Sequence, residues 1–100
     1  MVKHIVFFKL TGSSSPESSD SQLEQLKKIF GPLGKKLPFI IEYRTGTNFT
    51  EAGHAWDFAI DSVFANKEDL RKYLDSAEHL EAVKEASSIE KIKAVIDYEF

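Results

Sequence analysis

The sequence has no cysteine, only three prolines and one tryptophan among its 100 residues. Without cysteine the chain can form neither a disulfide nor a thiolate metal site, which fits a reducing compartment. No window approaches the roughly 18 apolar residues of a membrane-spanning helix. We therefore expect a soluble, cytoplasmic protein with no membrane contact.

Charge of one sign is also not concentrated anywhere along the chain. Thirteen basic residues oppose 16 acidic ones, for a net charge of -3, and no block of five like charges occurs. A nucleic-acid-binding domain usually carries a basic patch, so we expect no nucleic-acid partner. The apolar content of 42% over this length predicts a single domain over residues 1–100, with one hydrophobic core.

Four segments are rich in β-branched and aromatic residues and too short for ordinary helices, which predicts strands. They are residues 2–10, 39–45, 54–62 and 93–100. The serine-rich segment 11–21 lies directly after the first of these strands and predicts a loop.

Apolar residues at helical spacing predict two helices. The first is expected to begin after an N-cap at Asp20 or Ser21 and to kink, or to restart as a short segment, at Gly31-Pro32. The second is expected to begin after Asn66. Its predicted apolar side consists of Leu70, Tyr73, Leu74, Ala77, Leu80 and Val83. The order β-α-β-β-α-β predicts an α+β ferredoxin-like sandwich, with four antiparallel strands under two helices.

Both faces of such a sheet would be apolar. The first strand offers Val6 and Phe8 to one face and Ile5 and Phe7 to the other. Two helices cover only one face, and leaving the other in water would cost several kcal/mol at about 25 cal/mol per Å². The pattern predicts a homodimer joined through the sheet face. A monomer whose face is shielded by long lysine and glutamate side chains is the alternative.

Tyr73 and His79 form a candidate acid–base pair. On one unbroken helix their side chains would point about 120° apart and would barely meet. Ser76 can cap a new helix, with Glu78 in its first turn, and a break there would direct both side chains into one cavity. His79 would then be a general base and Tyr73 a hydrogen-bond donor. The alternative is a packing tyrosine and a histidine hydrogen-bonded at a helix start.

A pocket between sheet and helices is a further hypothesis. Phe8, Trp56 and Phe58, together with Tyr73 and His79, would line it and hold a small apolar or aromatic ligand without transforming it. The same side chains would also serve as ordinary core. The three histidines are scattered with no H-x-x-x-H spacing, so we expect no metal, and no cofactor is expected either.

Four motifs in order carry a family resemblance. They are V-K-H-I-V-F-F-K-L at the start, G-T-N after the second strand, D-F-A-I-D-S-V-F-A-N-K-E-D-L-R-K-Y-L-D-S-A-E-H, and V-I-D-Y-E-F at the end. Together they resemble the stress-responsive A/B barrel (Dabb) family over essentially the whole chain. The resemblance implies a dimeric α/β barrel, in which two ferredoxin-like subunits pack their sheets together.

The family includes stress-associated plant proteins and a plant polyketide cyclase. In that cyclase a tyrosine and a histidine within a Y-x-x-H-P-x-H segment act on the substrate, and a histidine of the first strand lines the same cavity. The resemblance implies Tyr73, His79 and His4 as catalytic residues, although Ser76 and Ala77 replace the first histidine and the proline. Two functions stay open: small-ligand binding or a stress-linked role, and a cofactor-independent cyclase or lyase.

Overall fold

The computed structural model describes residues 1–100 and contains four strands and four helices. The strands are β1 (Val2–Leu10), β2 (Ile40–Thr47), β3 (Phe58–Phe64) and β4 (Lys91–Glu99). The helices are α1 (Pro16–Phe30), α2 (Leu33–Lys36), α3 (Lys67–Asp75) and α4 (Ala77–Ala86). No helix combines the length and the hydropathy needed to cross a membrane.

The strands form one antiparallel sheet in the order β2-β3-β1-β4. This order confirms the predicted α+β ferredoxin-like fold. The interruption predicted at Gly31-Pro32 is also confirmed, because α1 ends at Phe30 and the short helix α2 comes next. Since β1 and β4 are neighbours, residues from the two ends of the chain lie side by side, and His4 is directly opposite Asp97.

Helix α1 begins earlier than the sequence predicted, and the loop assigned to residues 11–21 is therefore wrong in its second half. Ser15 is the N-cap, and its side-chain oxygen accepts a hydrogen bond of 3.1 Å from the backbone N–H of Ser18. Pro16 occupies the first helical position, where its fixed φ angle suits a helix and its missing N–H costs nothing. These capping features outweigh the weak helix propensity of the serines.

Strand β3 begins at Phe58 rather than at the predicted residue 54. Asp57, just before it, is held by local contacts with the end of β1. Its backbone N–H donates to the Phe8 carbonyl at 2.9 Å, and its carboxylate accepts from the Leu10 N–H at 2.7 Å. Residues 54–57 alternate like a strand in sequence, but the paired register of β3 with β2 ends at Phe58, beyond which the Asp57 carbonyl accepts from the Asn48 N–H at 2.9 Å.

Three of the residues predicted for the apolar side of the second helix are wrong, because Ala77, Leu80 and Val83 on α4 are all exposed. Leu80 is 56% exposed and Val83 is 46% exposed, whereas Ala82 and Ala86 are buried. The prediction placed Leu70 to Val83 on one continuous helical stripe. The break at Ser76 resets the rotation of α4 about its axis, so the small alanines face the core where α4 packs against α1.

The core fills the space between the sheet and the helices, and its largest fully buried side chains include Phe64, Tyr73, Leu26 and Leu33. The opposite side of the sheet, which we call the outer face, carries Ile5, Phe7, Ile92, Ala94, Ile96 and Tyr98. Ile92, Ile96 and Tyr98 are exposed. The second apolar face predicted from the sequence is therefore present and uncovered in a single chain.

Candidate functional site

The helix break near Ser76 is present. Ser76 has an extended backbone, with φ of -66° and ψ of 149°, between the end of α3 and the start of α4. Its hydroxyl donates to the Tyr73 carbonyl at 2.7 Å and accepts from the His79 N–H at 3.1 Å. One serine thus ends the first helix and caps the second. The break brings the Tyr73 and His79 rings to a centroid distance of 4.7 Å.

The ring of His79 is fixed in one orientation by a backbone contact. Its Nδ1 lies 3.0 Å from the carbonyl oxygen of Leu74. Because a carbonyl only accepts, Nδ1 carries the proton in the neutral ring and Nε2 keeps the lone pair. Burial lowers the pKa of His79 below 6.5, and the nearby charges of His4 and Lys93 act in the same direction, against the opposing effect of the Leu74 contact. His79 is therefore neutral at pH 7, with Nε2 available to a ligand.

His4 and Asp97 form a pair across β1 and β4. The register places them opposite each other, and His4 Nδ1 donates to the Asp97 carboxylate. His4 is only 4% exposed, and Ser62 donates from its hydroxyl to the His4 carbonyl at 3.0 Å. The carboxylate engages Nδ1 and orients the ring, so Nε2 is the ring nitrogen left for a ligand. The His4 ring lies 6.1 Å from that of Tyr73.

Tyr73 lies between the two histidines and is 2% exposed. Its ring also meets those of Phe64 and Tyr43 at centroid distances of 5.4 and 6.2 Å. Burial raises the pKa of the Tyr73 hydroxyl, with a smaller opposing effect from Tyr43. The hydroxyl therefore keeps its proton at neutral pH and can donate a hydrogen bond.

These side chains line one cavity of about 430 Å³ on the helix side of the sheet, which we call the His79 cavity. His4, Tyr73, His79 and Asp97 contribute polar groups to its wall. The rest of the lining is mainly apolar and includes Val6, Phe8, Phe30, Ile60, Leu74, Val83 and Val95. A mostly apolar cavity with a few convergent polar groups is the usual form of a small-molecule site.

Of the three residues predicted to line a ligand pocket, the structure brings only Phe8 to the His79 cavity. Phe58 is buried and stacks on Phe8 with ring centroids 6.4 Å apart, but it is not part of the lining. Trp56 packs near Phe7 at 6.5 Å and, together with Phe58, lines a different cavity of about 660 Å³, which also includes His54. The late start of the third strand explains this difference, because residue 56 precedes β3.

Sequence reasoning missed Asp97, Lys91 and Lys93, which all line the His79 cavity. Together with Val95 they occupy every second position of β4, and this set faces the helix side of the sheet. The alternation of β4 is visible in the sequence, with apolar residues at 92, 94, 96 and 98 on the outer face. It assigns Asp97 and the lysines to the opposite face, but only the pairing of β4 with β1 brings them to the histidines.

The family profile of the stress responsive A/B barrel domain matches residues 2–100. No curated protein sequence matches the chain. Among solved structures, a dimeric protein of unknown function with a ferredoxin-like fold from Bacteroides fragilis has a TM-score of 0.85 and 32% identity. That comparison covers 99% of this chain and 95% of the other.

A hydroxynitrile lyase from Passiflora edulis has a TM-score of 0.76 and 25% identity, over 97% of this chain and 90% of the lyase. A Dabb family protein from Mesorhizobium loti has a TM-score of 0.70 and 20% identity, over 99% and 95% of the two chains, a likeness of fold alone. The sheet order and the profile match over nearly every residue lead to one conclusion: this chain belongs to the stress responsive A/B barrel (Dabb) family.

Proposed function

We propose that each protomer binds a small, largely apolar molecule in the His79 cavity and catalyses a cofactor-independent proton transfer on it. The observation that carries this proposal is the convergence of His4, Tyr73 and His79 on one apolar cavity. A purely packing role for His79 would not require an unpaired ring nitrogen at the wall of a cavity that Tyr73 and His4 also line. The geometry therefore supports the acid–base hypothesis over simple ligand storage.

In the proposed reaction, His79 Nε2 accepts a proton from a hydroxyl, or from a carbon next to a carbonyl group. Tyr73 donates a hydrogen bond to the substrate oxygen that gains negative charge, as in other sites that stabilise an oxyanion. The imidazolium of His79 then returns the proton to the product or to the leaving group. Asp97 positions His4, whose Nε2 can hold a polar group of the substrate.

The likeness to a hydroxynitrile lyase supports a lyase-type form of this reaction. Cleavage of a hydroxynitrile needs one base and one polarised oxygen: the hydroxyl proton is removed, the carbon–carbon bond breaks, and cyanide leaves and takes up the proton. A ring closure through an enolate needs the same two groups. The groups of the cavity are therefore compatible with both the lyase and the cyclase form.

The ligand-free protein should show this arrangement in an NMR titration of its histidines. We expect His79 to titrate below 6.5, because burial disfavours the charged ring. With its pKa lowered in the folded state, the unfolded chain binds more protons below pH 6.5, so the free energy of unfolding decreases as the pH is lowered through that range. Adding 4-propylphenol, a small phenol with an apolar tail, is expected to shift the His79 resonances.

The control in the same spectra is His54, which is exposed and outside the His79 cavity and should not respond to the phenol. In Tyr73→Phe the response of His79 should weaken, because the donor hydroxyl is gone. A His79 that titrates at or above 6.5 and ignores the phenol would refute the proposed site.

We also propose that the protein is a homodimer joined through the outer face. The Bacteroides fragilis relative is described as dimeric. In a single chain, Ile92, Ile96 and Tyr98 leave large apolar areas in water, a cost that a second copy would remove. The His79 cavity lies on the other side of the sheet, so this dimer would leave it open to ligand.

Ile96→Glu is expected to dissociate the dimer. A two-fold axis would bury two unpaired carboxylates in one interface, which weakens association by roughly 3 kcal/mol or more, above a hundredfold in Kd. Sedimentation velocity over a concentration series measures it. The matched control is Leu80→Glu on α4, since Leu80 and Ile96 are 56% and 51% exposed in the protomer. A wild-type monomer at every concentration would contradict the dimer.

A further inference from the structure

Two lysines line one end of the His79 cavity, although the chain as a whole carries a net charge of -3. Asp97 is the only acidic residue in the lining, and its carboxylate is already engaged by His4. The cavity wall is therefore locally positive in an acidic protein. Positive charge at the wall of a cavity favours a negatively charged ligand.

Lys91 and Lys93 differ in what their ammonium groups do. Lys91 Nζ donates to the carbonyls of Ala86 and Ile89 at 2.6 and 3.1 Å and lies 5.4 Å from the centre of the Phe8 ring. It closes the end of α4 and has little donor capacity left. Lys93 forms no ion pair within the protomer and is exposed, with its donors free for a ligand.

Lys93 also influences the acid–base end of the cavity electrostatically. Its charge contributes to lowering the pKa of His79 and of Lys91, in both cases behind the larger effect of burial. An anion bound at Lys93 would offset that charge. The charge at Lys93 and the protonation of His79 are thus coupled.

The cavity has polar ends and an apolar middle. Along the helix-side face of β4, Lys93 and Asp97 are four residues apart, about 13 Å at the rise of a strand. Val95 lies between them, and Val6 is directly opposite Val95 on β1. A molecule complementary to the whole cavity would have an anionic end near Lys93, an apolar body and a reactive oxygen at its other end.

We propose that the substrate is a small organic carboxylate, whose carboxylate binds Lys93 while its other end reaches His79 and Tyr73. This inference rests on the proposed function and specifies its substrate class. A single flexible ammonium group suits a carboxylate better than a phosphate, which proteins usually hold with several donors from arginine or backbone N–H groups.

The test compares 4-(4-hydroxyphenyl)butanoate with its primary amide, which has nearly the same shape and no charge. Isothermal titration calorimetry at low salt is expected to show about tenfold tighter binding of the carboxylate, the usual effect of one charge-assisted hydrogen bond. Lys93→Met should remove this preference, so that the carboxylate and the amide bind about equally. Lys84→Met is the matched control, because Lys84 is exposed on α4 and does not line the cavity.

Each other outcome has a separate meaning. Equal binding of carboxylate and amide to the wild-type protein would overturn the anionic substrate and leave the cavity proposal intact. A preference that survives in Lys93→Met would overturn the assignment to Lys93. Binding of neither compound, with no response of His79 to either, would refute the proposed function and this inference with it.

Discussion

His79→Gln is expected to lower the rate of proton transfer in the cavity by about 10²–10⁴-fold, the usual contribution of a positioned base. The variant keeps a polar side chain of similar length on α4 but removes the basic nitrogen. In the wild-type protein the Leu74 carbonyl holds the Nδ1 proton, and burial lowers the pKa of the ring. The Leu74 contact assigns the proton of the neutral ring to Nδ1, burial keeps Nε2 unprotonated at pH 7, and an amide cannot replace that nitrogen as a base.

Two reactions measure this effect. The lyase form is measured by the absorbance of the benzaldehyde released from mandelonitrile. The enolate form is measured by NMR, as deuterium exchange at the carbon next to the carbonyl of phenylacetone. His54→Gln is the matched control, since it replaces a histidine outside the His79 cavity. Thermal unfolding of each variant excludes misfolding. A wild-type protein with no rate above buffer in either reaction, or a His79→Gln variant as fast as wild type, would contradict the acid–base proposal.

Hydrophobic periodicity was sufficient to predict the ferredoxin-like fold. β1 occupies residues 2–10 as predicted, because alternating large apolar residues admit few other arrangements. The capping chemistry of Ser76 and Asn66 is local, so it also could be predicted from sequence, and with it the approach of Tyr73 to His79.

The errors arose where local pattern and tertiary structure compete. Residues 54–57 alternate like a strand, but Asp57 uses its hydrogen-bonding groups on the end of β1. Leu80 and Val83 fit a continuous helical stripe, but after the rotation introduced at Ser76 both are about half exposed, and Val83 lines the His79 cavity. An apolar stripe extended across a helix break does not identify the buried face of the second helix.

The missed part of the site depends on long-range pairing. His4 and Asp97 are 93 residues apart in sequence and meet only because β4 pairs with β1 in one register. A shift of one residue would turn Asp97 and Lys93 to the outer face. Sequence pattern gives the alternation of each strand but not the register between them, so the charged wall of the cavity was not predictable from it.

Phe64→Ala is expected to lower the free energy of unfolding by about 3–5 kcal/mol, the usual cost of removing a fully buried aromatic ring. Phe64 is completely buried at the end of β3, where it is opposite Val2 of β1 and Ile40 of β2. Urea denaturation at one fixed protein concentration measures the change, since dimer dissociation would make stability depend on concentration. Phe49→Ala is the control: Phe49 is 96% exposed, and its loss should change stability by less than about 0.5 kcal/mol.

Phe64 also connects core packing to the site, because its ring lies 5.4 Å from that of Tyr73. Phe64→Leu separates the two roles. Leucine fills much of the space, so the loss of stability should be only about 1 kcal/mol, and the protein stays folded. If Phe64 holds the Tyr73 ring against His79, this variant weakens the response of His79 to 4-propylphenol while the fold persists. An unchanged response would mean that the neighbouring rings of His4 and Tyr43 are sufficient to position Tyr73, and that Phe64 contributes to stability alone.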